Sequence, residues 1–265
     1  MKDNDDMSVD MGVYHIMYNA SMKKIIITSL ICMSVILTAC SEQPQVETTE
    51  SETQIIETEA AETAAEINGN RLFEDLQSGK TICFIGDSIT AGTATDGIPW
   101  YEPLEPFIQG EIMNVSEPGW TSVHLTEISG DIPQADVYVI AIGINDVLYI
   151  DQPLGAASAE EFIDNLDILA DALCTKSPGA TMYFVTPWPF LGFPEETYAT
   201  RDAFVDAMIA WCDGEERICI DPYDTIMDVL GEVDTEVYMW NDYHPDAPEG
   251  VGLYSYAVIQ QESCR

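Results

Sequence analysis

From residue 70 onward the chain alternates short, strongly apolar runs with segments of helical periodicity, and few folds accommodate that alternation. The runs are "TICFIGD" (81–87), "EIMNVS" (111–116), "ADVYVIAIG" (135–143), "ATMYFVTP" (180–187) and "RICID" (217–221). Several are continuously apolar rather than alternating, which is the pattern of strands covered on both faces. Between them, Phe162, Ile163, Leu166, Leu169, Ala170 and Leu173 recur at helical spacing in 158–174. Ser158 and Glu161 read as a capping box at that helix's start. A second stripe over 201–212 comprises Phe204, Val205, Met208, Ile209, Trp211 and Cys212. Further helices are expected at 224–230, closed by Gly231, and after the loop around His244. Strand–helix alternation of this period predicts an α/β fold with a parallel five-stranded sheet between two helical layers. No internal repeat and no second domain interrupts residues 70–265.

The segment before residue 70 reads differently. Met22 opens "MKKIIITSLICMSVILTAC", two lysines and an apolar run that ends at Ala39 before Cys40. The run suits a signal peptide better than a bilayer span. Its end, Leu37-Thr38-Ala39-Cys40, resembles the lipobox of bacterial lipoproteins, which implies lipidation at Cys40 and a domain anchored on the extracellular face of the cytoplasmic membrane. Residues 22–39 are therefore expected to be a signal peptide, with an uncleaved N-terminal anchor as the other reading. Residues 1–21 are acidic where a signal peptide wants positive charge, so Met22 reads as the true start and 1–21 as a mis-assigned beginning. Residues 40–69, rich in Glu, Thr and Ala, cannot bury enough apolar surface to offset their ordering entropy and read as an acidic, disordered tether.

Charge narrows the partners. Nine basic residues against 47 acidic ones give a formal charge of −38. Nucleic-acid binding requires a basic footprint, and none exists here. Polyanionic substrates are disfavoured in the same way, so a neutral substrate is expected. The membrane is reached through the lipid on Cys40 alone, and a monomer is expected.

The cysteines are Cys32 and Cys40 in the signal segment, then Cys83, Cys174, Cys212, Cys219 and Cys264. Cys212 and Cys219 flank a short turn and are the one pair close enough in sequence to raise a disulfide. No CxxC spacing occurs, and His124 and His244 lack carboxylate partners at ligand spacing, so no metal and no cofactor are expected.

In open α/β sheets, ligands bind at the carboxyl ends of the strands. The first strand ends in Gly86-Asp87-Ser88, the second leads to Gly119, and the third ends in Gly143-Ile144-Asn145-Asp146. A serine hydrolase needs a hydroxyl, a base within reach and donors for the developing oxyanion. Ser88 supplies a hydroxyl, Gly119 an unblocked backbone N–H and Asn145 an amide, while His244 arrives from the C-terminal "WNDYHPD". For Ser88 and Asn145 helix capping is the competing reading. Asp87 and Asp146 read as structural hydrogen bonders. His124 reads as a surface helix residue that could also line the site. Trp100, Trp120 and Trp188 lie in loops at the same edge, where core packing and sugar stacking are both open.

The ordered set "FIGDSIT", "EPGWTS", "AIGIND" and "DYHPD" resembles the SGNH hydrolases, also called the GDSL esterase/lipase family, over residues 80–260. The resemblance implies a three-layer, flavodoxin-like fold without a cofactor. It implies Ser88 as nucleophile and His244 as base. Its oxyanion hole would be the Ser88 N–H, the Gly119 N–H and the Asn145 amide. The implied activity is hydrolysis of short acyl esters, often acetyl groups on glycans. No GxSxG is present, which disfavours the α/β-hydrolase fold.

The match breaks at one position. The family carries an aspartate three residues before the histidine, and here that residue is Asn241. Asp242, two before, is expected to orient His244 instead; an Asn241-assisted dyad and a weak or inactive protein are the alternatives. Three functions follow for comparison: a surface esterase on acylated carbohydrate, an acyltransferase onto cell-envelope glycan, and a non-catalytic carbohydrate-binding lipoprotein.

Overall fold

The computed structural model describes residues 71–150, 152–212 and 217–260. The signal peptide, Cys40, the tether and Cys264 lie outside the described residues. A short helix α1 (Arg71–Leu76) leads into β1 (Ile82–Gly86), followed by α2 (Ser88–Ala91), β2 (Ile112–Ser116) and α3 (Ser122–Ile128). Then come β3 (Val137–Ala141), α4 (Ile144–Leu148), α5 (Ala159–Lys176), β4 (Thr181–Val185), α6 (Glu195–Trp211), β5 (Arg217–Ile220), α7 (Tyr223–Glu232) and α8 (Glu249–Gln260).

The five strands form one sheet in the order β2-β1-β3-β4-β5, and every pairing is parallel. This is the flavodoxin-like doubly wound order. All residues of β1 and β3 are buried, which explains why their sequences are continuously apolar rather than alternating. The edge strand β2 is half-exposed, and Asn114 accordingly sits among its apolar residues. Helices α3, α5 and α6 pack against one another in one layer, while α8 packs on α7 and on the 3-10 turn Glu102–Phe107 in the other.

The core explains the helical stripes. Phe162, Leu166, Leu169, Ala170 and Leu173 of α5 are buried, and the Phe162 ring lies 4.9 Å from that of Phe204 on α6. The phenylalanine and leucine side chains contribute about 1.5–3 kcal/mol each by leaving water, and the Ala170 methyl less. Ser158 caps α5 by accepting from Glu161 N–H at 3.2 Å, but the Glu161 carboxylate reaches Ala157 N–H rather than the cap residue. Helix α6 begins at Glu195, before the expected 201, because its first turns are polar and carry no stripe. Helix α7 runs through Gly231 to Glu232; Gly231 is not left-handed and so does not terminate it.

Register decides what meets at the rim. Gly86 is level with Ser116 on one side and Ala141 on the other, so β1, β2 and β3 end together. Gly86 also permits close packing, since a Cβ there would lie 2.5 Å from the Ala141 carbonyl oxygen. Among the described residues none of Cys83, Cys174, Cys212 and Cys219 is in a disulfide, so Cys212 and Cys219 are not joined. Both are buried and behave as small apolar side chains.

Candidate active site

At the strand–helix junction after β1, Asp87 is the N-cap of α2 and accepts from Ile89 N–H at 3.0 Å. That frees Ser88, the first helical residue, from the capping duty open to it in the sequence. Its hydroxyl instead lies 2.8 Å from Nε2 of His244, across 156 residues of chain. Both residues are nearly buried, at 8 and 9 % exposure. Burial holds the His244 imidazole below its ordinary pKa of 6.5, which keeps it neutral and able to carry a proton between groups.

His244 is held in a closed loop. Trp240 N–H donates to the His244 carbonyl at 3.0 Å, and Asp246 N–H to the Tyr238 carbonyl at 2.8 Å. The Tyr243 ring packs against the imidazole, with centroids 4.4 Å apart. Inside this loop Asn241 Oδ1 accepts from the backbone N–H of both Tyr243 and His244, at 3.0 and 2.8 Å. Its amide nitrogen therefore faces Nδ1 of His244, at 3.0 Å. Turning the amide over would leave two backbone donors without an acceptor, about 1–3 kcal/mol each.

Asp242 does not orient His244 as expected from its charge. Its side chain is exposed and its backbone carbonyl accepts from Leu191 N–H at 2.7 Å. The carboxylate lies over towards Gly192. A loop this short cannot turn residues 241 and 242 onto the same ring, and the backbone bonds select Asn241.

Gly119 sits in the turn after β2 with a φ of 81°, a left-handed conformation that a side chain would strain. Asn145 follows β3, is 5 % exposed, and donates from Nδ2 to the Trp120 carbonyl at 2.8 Å. One of its two amide N–H groups is thus engaged on the Gly119 loop. It does not cap α4, whose N-cap is Gly143. Asp146 is fully buried and accepts from Ser122 N–H, Ser122 Oγ and Ala156 N–H. Burial raises its pKa, against which these donors act. It is the bracket that ties the end of β3 to the Gly119 loop.

His124 serves α3: with Thr121 it forms the helix's capping box, its Nδ1 accepting from Thr121 N–H at 3.2 Å. Trp100 and Trp188 are fully buried and pack on each other at 5.5 Å, so both belong to the core, while Trp120 is half-buried. The exposed indole is Trp240, 61 % accessible and 6.0 Å from the imidazole. Sequence reasoning passed over it, although its place directly before Asn241 was available as a signal. Arg201 is also buried; its Nε donates to the Pro187 carbonyl at 3.0 Å and its guanidinium stacks on Tyr223, fixing the end of β4.

Among the described residues no cluster of three or more His, Cys, Asp or Glu side chains could hold a metal ion. A depression of about 410 Å³ lies at the opposite, amino end of the strands, lined in part by Lys80 and Lys176. Lys80 is bonded to Asp75 and Lys176 to the Gly130 carbonyl.

A flavodoxin-like sheet with a serine hydrogen-bonded to a histidine at its carboxyl rim defines the class of the SGNH serine hydrolases. The chain belongs to the GDSL-like lipase/acylhydrolase family, whose pattern spans residues 84–248, and it is a carboxylic ester hydrolase. No curated protein matches it. Among solved structures it is similar to a Parabacteroides merdae protein assigned as a GDSL-like lipase, with TM-score 0.59 and 20 % identity over 70 % of this chain and 96 % of that one. It is similar also to a catalytic mutant of Axe2, an acetylxylan esterase of Geobacillus stearothermophilus, with TM-score 0.56 and 19 % identity over 70 and 96 % of the two chains. A third is LAE5, an α/β hydrolase from the metagenome of Lake Arreo, with TM-score 0.53 and 20 % identity over 69 and 97 %. At these identities the likeness is one of fold.

Proposed function

We propose that this protein hydrolyses short acyl esters, acetyl foremost, carried on a carbohydrate. The observation that carries the reading is the 2.8 Å contact of Ser88 Oγ with His244 Nε2 at the carboxyl rim of the sheet. With the imidazole proton on Nδ1, Ser88 gives its proton to Nε2 as Oγ bonds to the acyl carbon. The carbonyl oxygen takes the negative charge, facing the Ser88 and Gly119 N–H groups and the second Asn145 amide N–H. Collapse of this intermediate breaks the bond to the leaving alcohol, whose oxygen takes the proton from Nε2. Water then repeats the sequence on the acyl-serine, releasing the acid and restoring Ser88.

A carbohydrate substrate is supported by Trp240, whose open indole face beside His244 suits the apolar face of a sugar ring. It is supported too by the acetylxylan esterase activity of Axe2, whose catalytic mutants replace a serine, an aspartate and a histidine. The net charge of −38 favours a neutral glycan. For location we propose the extracellular face of the cytoplasmic membrane, with the lipobox-like LTAC and Cys40 as support. Among the described residues no helix is long and apolar enough to cross a membrane.

A second reading, a glycan-binding protein without turnover, draws on Asn241 facing His244. One experiment separates the two: acetate release from acetylated xylo-oligosaccharides, with Ser88→Ala alongside. Ser88-dependent release supports the esterase. Glycan binding with no release above the Ser88→Ala background supports the binder.

A further inference from the structure

We infer that Asn241 is a positioning residue that holds His244 in the tautomer with its proton on Nε2, so that the resting site runs below the capacity of its own scaffold. The inference rests on the reading of Ser88 and His244 as the esterase pair. Its basis is a chain of donors and acceptors with one consistent assignment. The Asn241 atom facing the backbone N–H groups of Tyr243 and His244 must be oxygen, because a backbone N–H only donates. The remaining amide nitrogen also only donates, so Nδ1 of His244, 3.0 Å away, must offer its lone pair. A neutral imidazole has a single N–H, which then sits on Nε2 and points at Ser88 Oγ.

Nucleophile activation needs the opposite arrangement, with a lone pair on Nε2 to receive the Ser88 proton. Reaching it means moving the imidazole proton from Nε2 to Nδ1, where it would meet the N–H of Asn241 head on. A carboxylate at the same position removes the conflict without moving the backbone: one oxygen keeps the two backbone donors and the other accepts from Nδ1–H. It also places a negative charge beside the imidazolium formed during acyl transfer. Asp242 cannot substitute, since its backbone is tied to Leu191 and its side chain is exposed. The same wrong-tautomer effect in the serine-protease triad costs about 10⁴ in kcat.

The test combines spectroscopy and kinetics on the full chain. The protein has three histidines, so selective ¹⁵N labelling, with His244→Ala for assignment, isolates the two ring nitrogens of His244. The expected result at neutral pH is a protonated Nε2 in the parent and a protonated Nδ1 in Asn241→Asp. A protonated Nδ1 in the parent overturns the inference. In parallel, Asn241→Asp is expected to raise kcat on an aryl acetate by between about tenfold and about 10⁴-fold, while Asp242→Ala leaves it unchanged. An equal or lower rate in Asn241→Asp, with Ser88-dependent turnover intact, overturns the inference and leaves the esterase standing. Absence of Ser88-dependent turnover in both proteins removes the esterase reading instead, and the ¹⁵N spectrum still decides the tautomer.

Discussion

The carboxylate of Asp146 accepts both the backbone N–H and the hydroxyl of Ser122, at 2.9 and 2.6 Å, joining the end of β3 to the start of α3. A third donor, Ala156 N–H, reaches the same carboxylate at 3.0 Å. Replacing Asp146 by alanine strands all three donors, whereas Ser122→Ala removes only the hydroxyl, which donates to Asp146 and accepts from Asn165 Nδ2 at 3.0 Å. Asp146→Ala is expected to destabilise the domain by about 3 kcal/mol or more, against about 1–2 kcal/mol for Ser122→Ala. Chemical denaturation of the two variants gives the ranking; equal losses would contradict the bracket.

Asp87 gives a stability that depends on pH. Burial raises its pKa to about 7, opposed by the Ile89 N–H and reinforced by the nearby charge of Asp146; its Oδ2 has no hydrogen-bond partner. In the unfolded chain it titrates near the ordinary ~3.9. Between these values the folded state binds the extra proton, so stability falls as pH rises from about 4 through about 7. The full loss is at most about 4 kcal/mol. Asp87→Asn keeps the Ile89 acceptor and removes the charge, so its denaturation midpoints at pH 5 and pH 8 are expected to lie closer together than the parent's. An unchanged pH slope would show that Asp87 does not control it.

With His244 as the proposed base, the acid limb of activity is expected to follow its protonation. The imidazole must be neutral to take the Ser88 proton, and burial lowers its pKa below 6.5. Activity should therefore persist below the pH at which a solvated histidine protonates. A profile of kcat/KM on an aryl acetate is expected to place the acid midpoint under 6.5; a midpoint above it would mean that burial is not the controlling influence.

If the proposed carbohydrate substrate holds, Trp240 is expected to separate glycan recognition from ester chemistry. Removing its exposed ring should cost on the order of 1 kcal/mol of sugar stacking, or roughly fivefold in kcat/KM on acetylated oligosaccharides. Ethyl acetate, with no ring to stack, should be hydrolysed by Trp240→Ala at the parental rate. Equal losses on both substrates would assign Trp240 to the packing of the His244 loop.

Much of this architecture was readable in advance because burial writes itself into apolar runs. All five strands fall within the stretches expected, and the stripe of α5 buries Phe162, Leu166, Leu169, Ala170 and Leu173 as its spacing indicates, while Ile163 is only half-buried. The short helices α1 and α4 were not legible, since six and five residues hold too little periodicity to be told from loops, and of α3 only the helical placing of His124 was read. Capping by Thr121 and His124 escaped for a related reason: histidine replaces the Glu or Gln that marks such a box in sequence.

The site divides in the same way. Order and spacing along the chain pointed to Ser88, Gly119, Asn145 and His244, because each follows the end of a strand or a motif with local chemistry. What the sequence could not determine was direction. Asn241 and Asp242 are neighbours, and charge alone favoured the aspartate. The tertiary structure decided for asparagine, because the N–H groups of Tyr243 and His244 fix Asn241 while Leu191 draws the Asp242 backbone away. Trp100, Trp188 and Trp240 are likewise identical as residues; two fill the core and one faces solvent beside the imidazole. The sequence by itself determined which elements form and which polar groups reach the rim, through burial and periodicity. Only the packed chain decided which of those groups share a proton, since a hydrogen bond depends on a few tenths of an ångström between residues far apart in sequence.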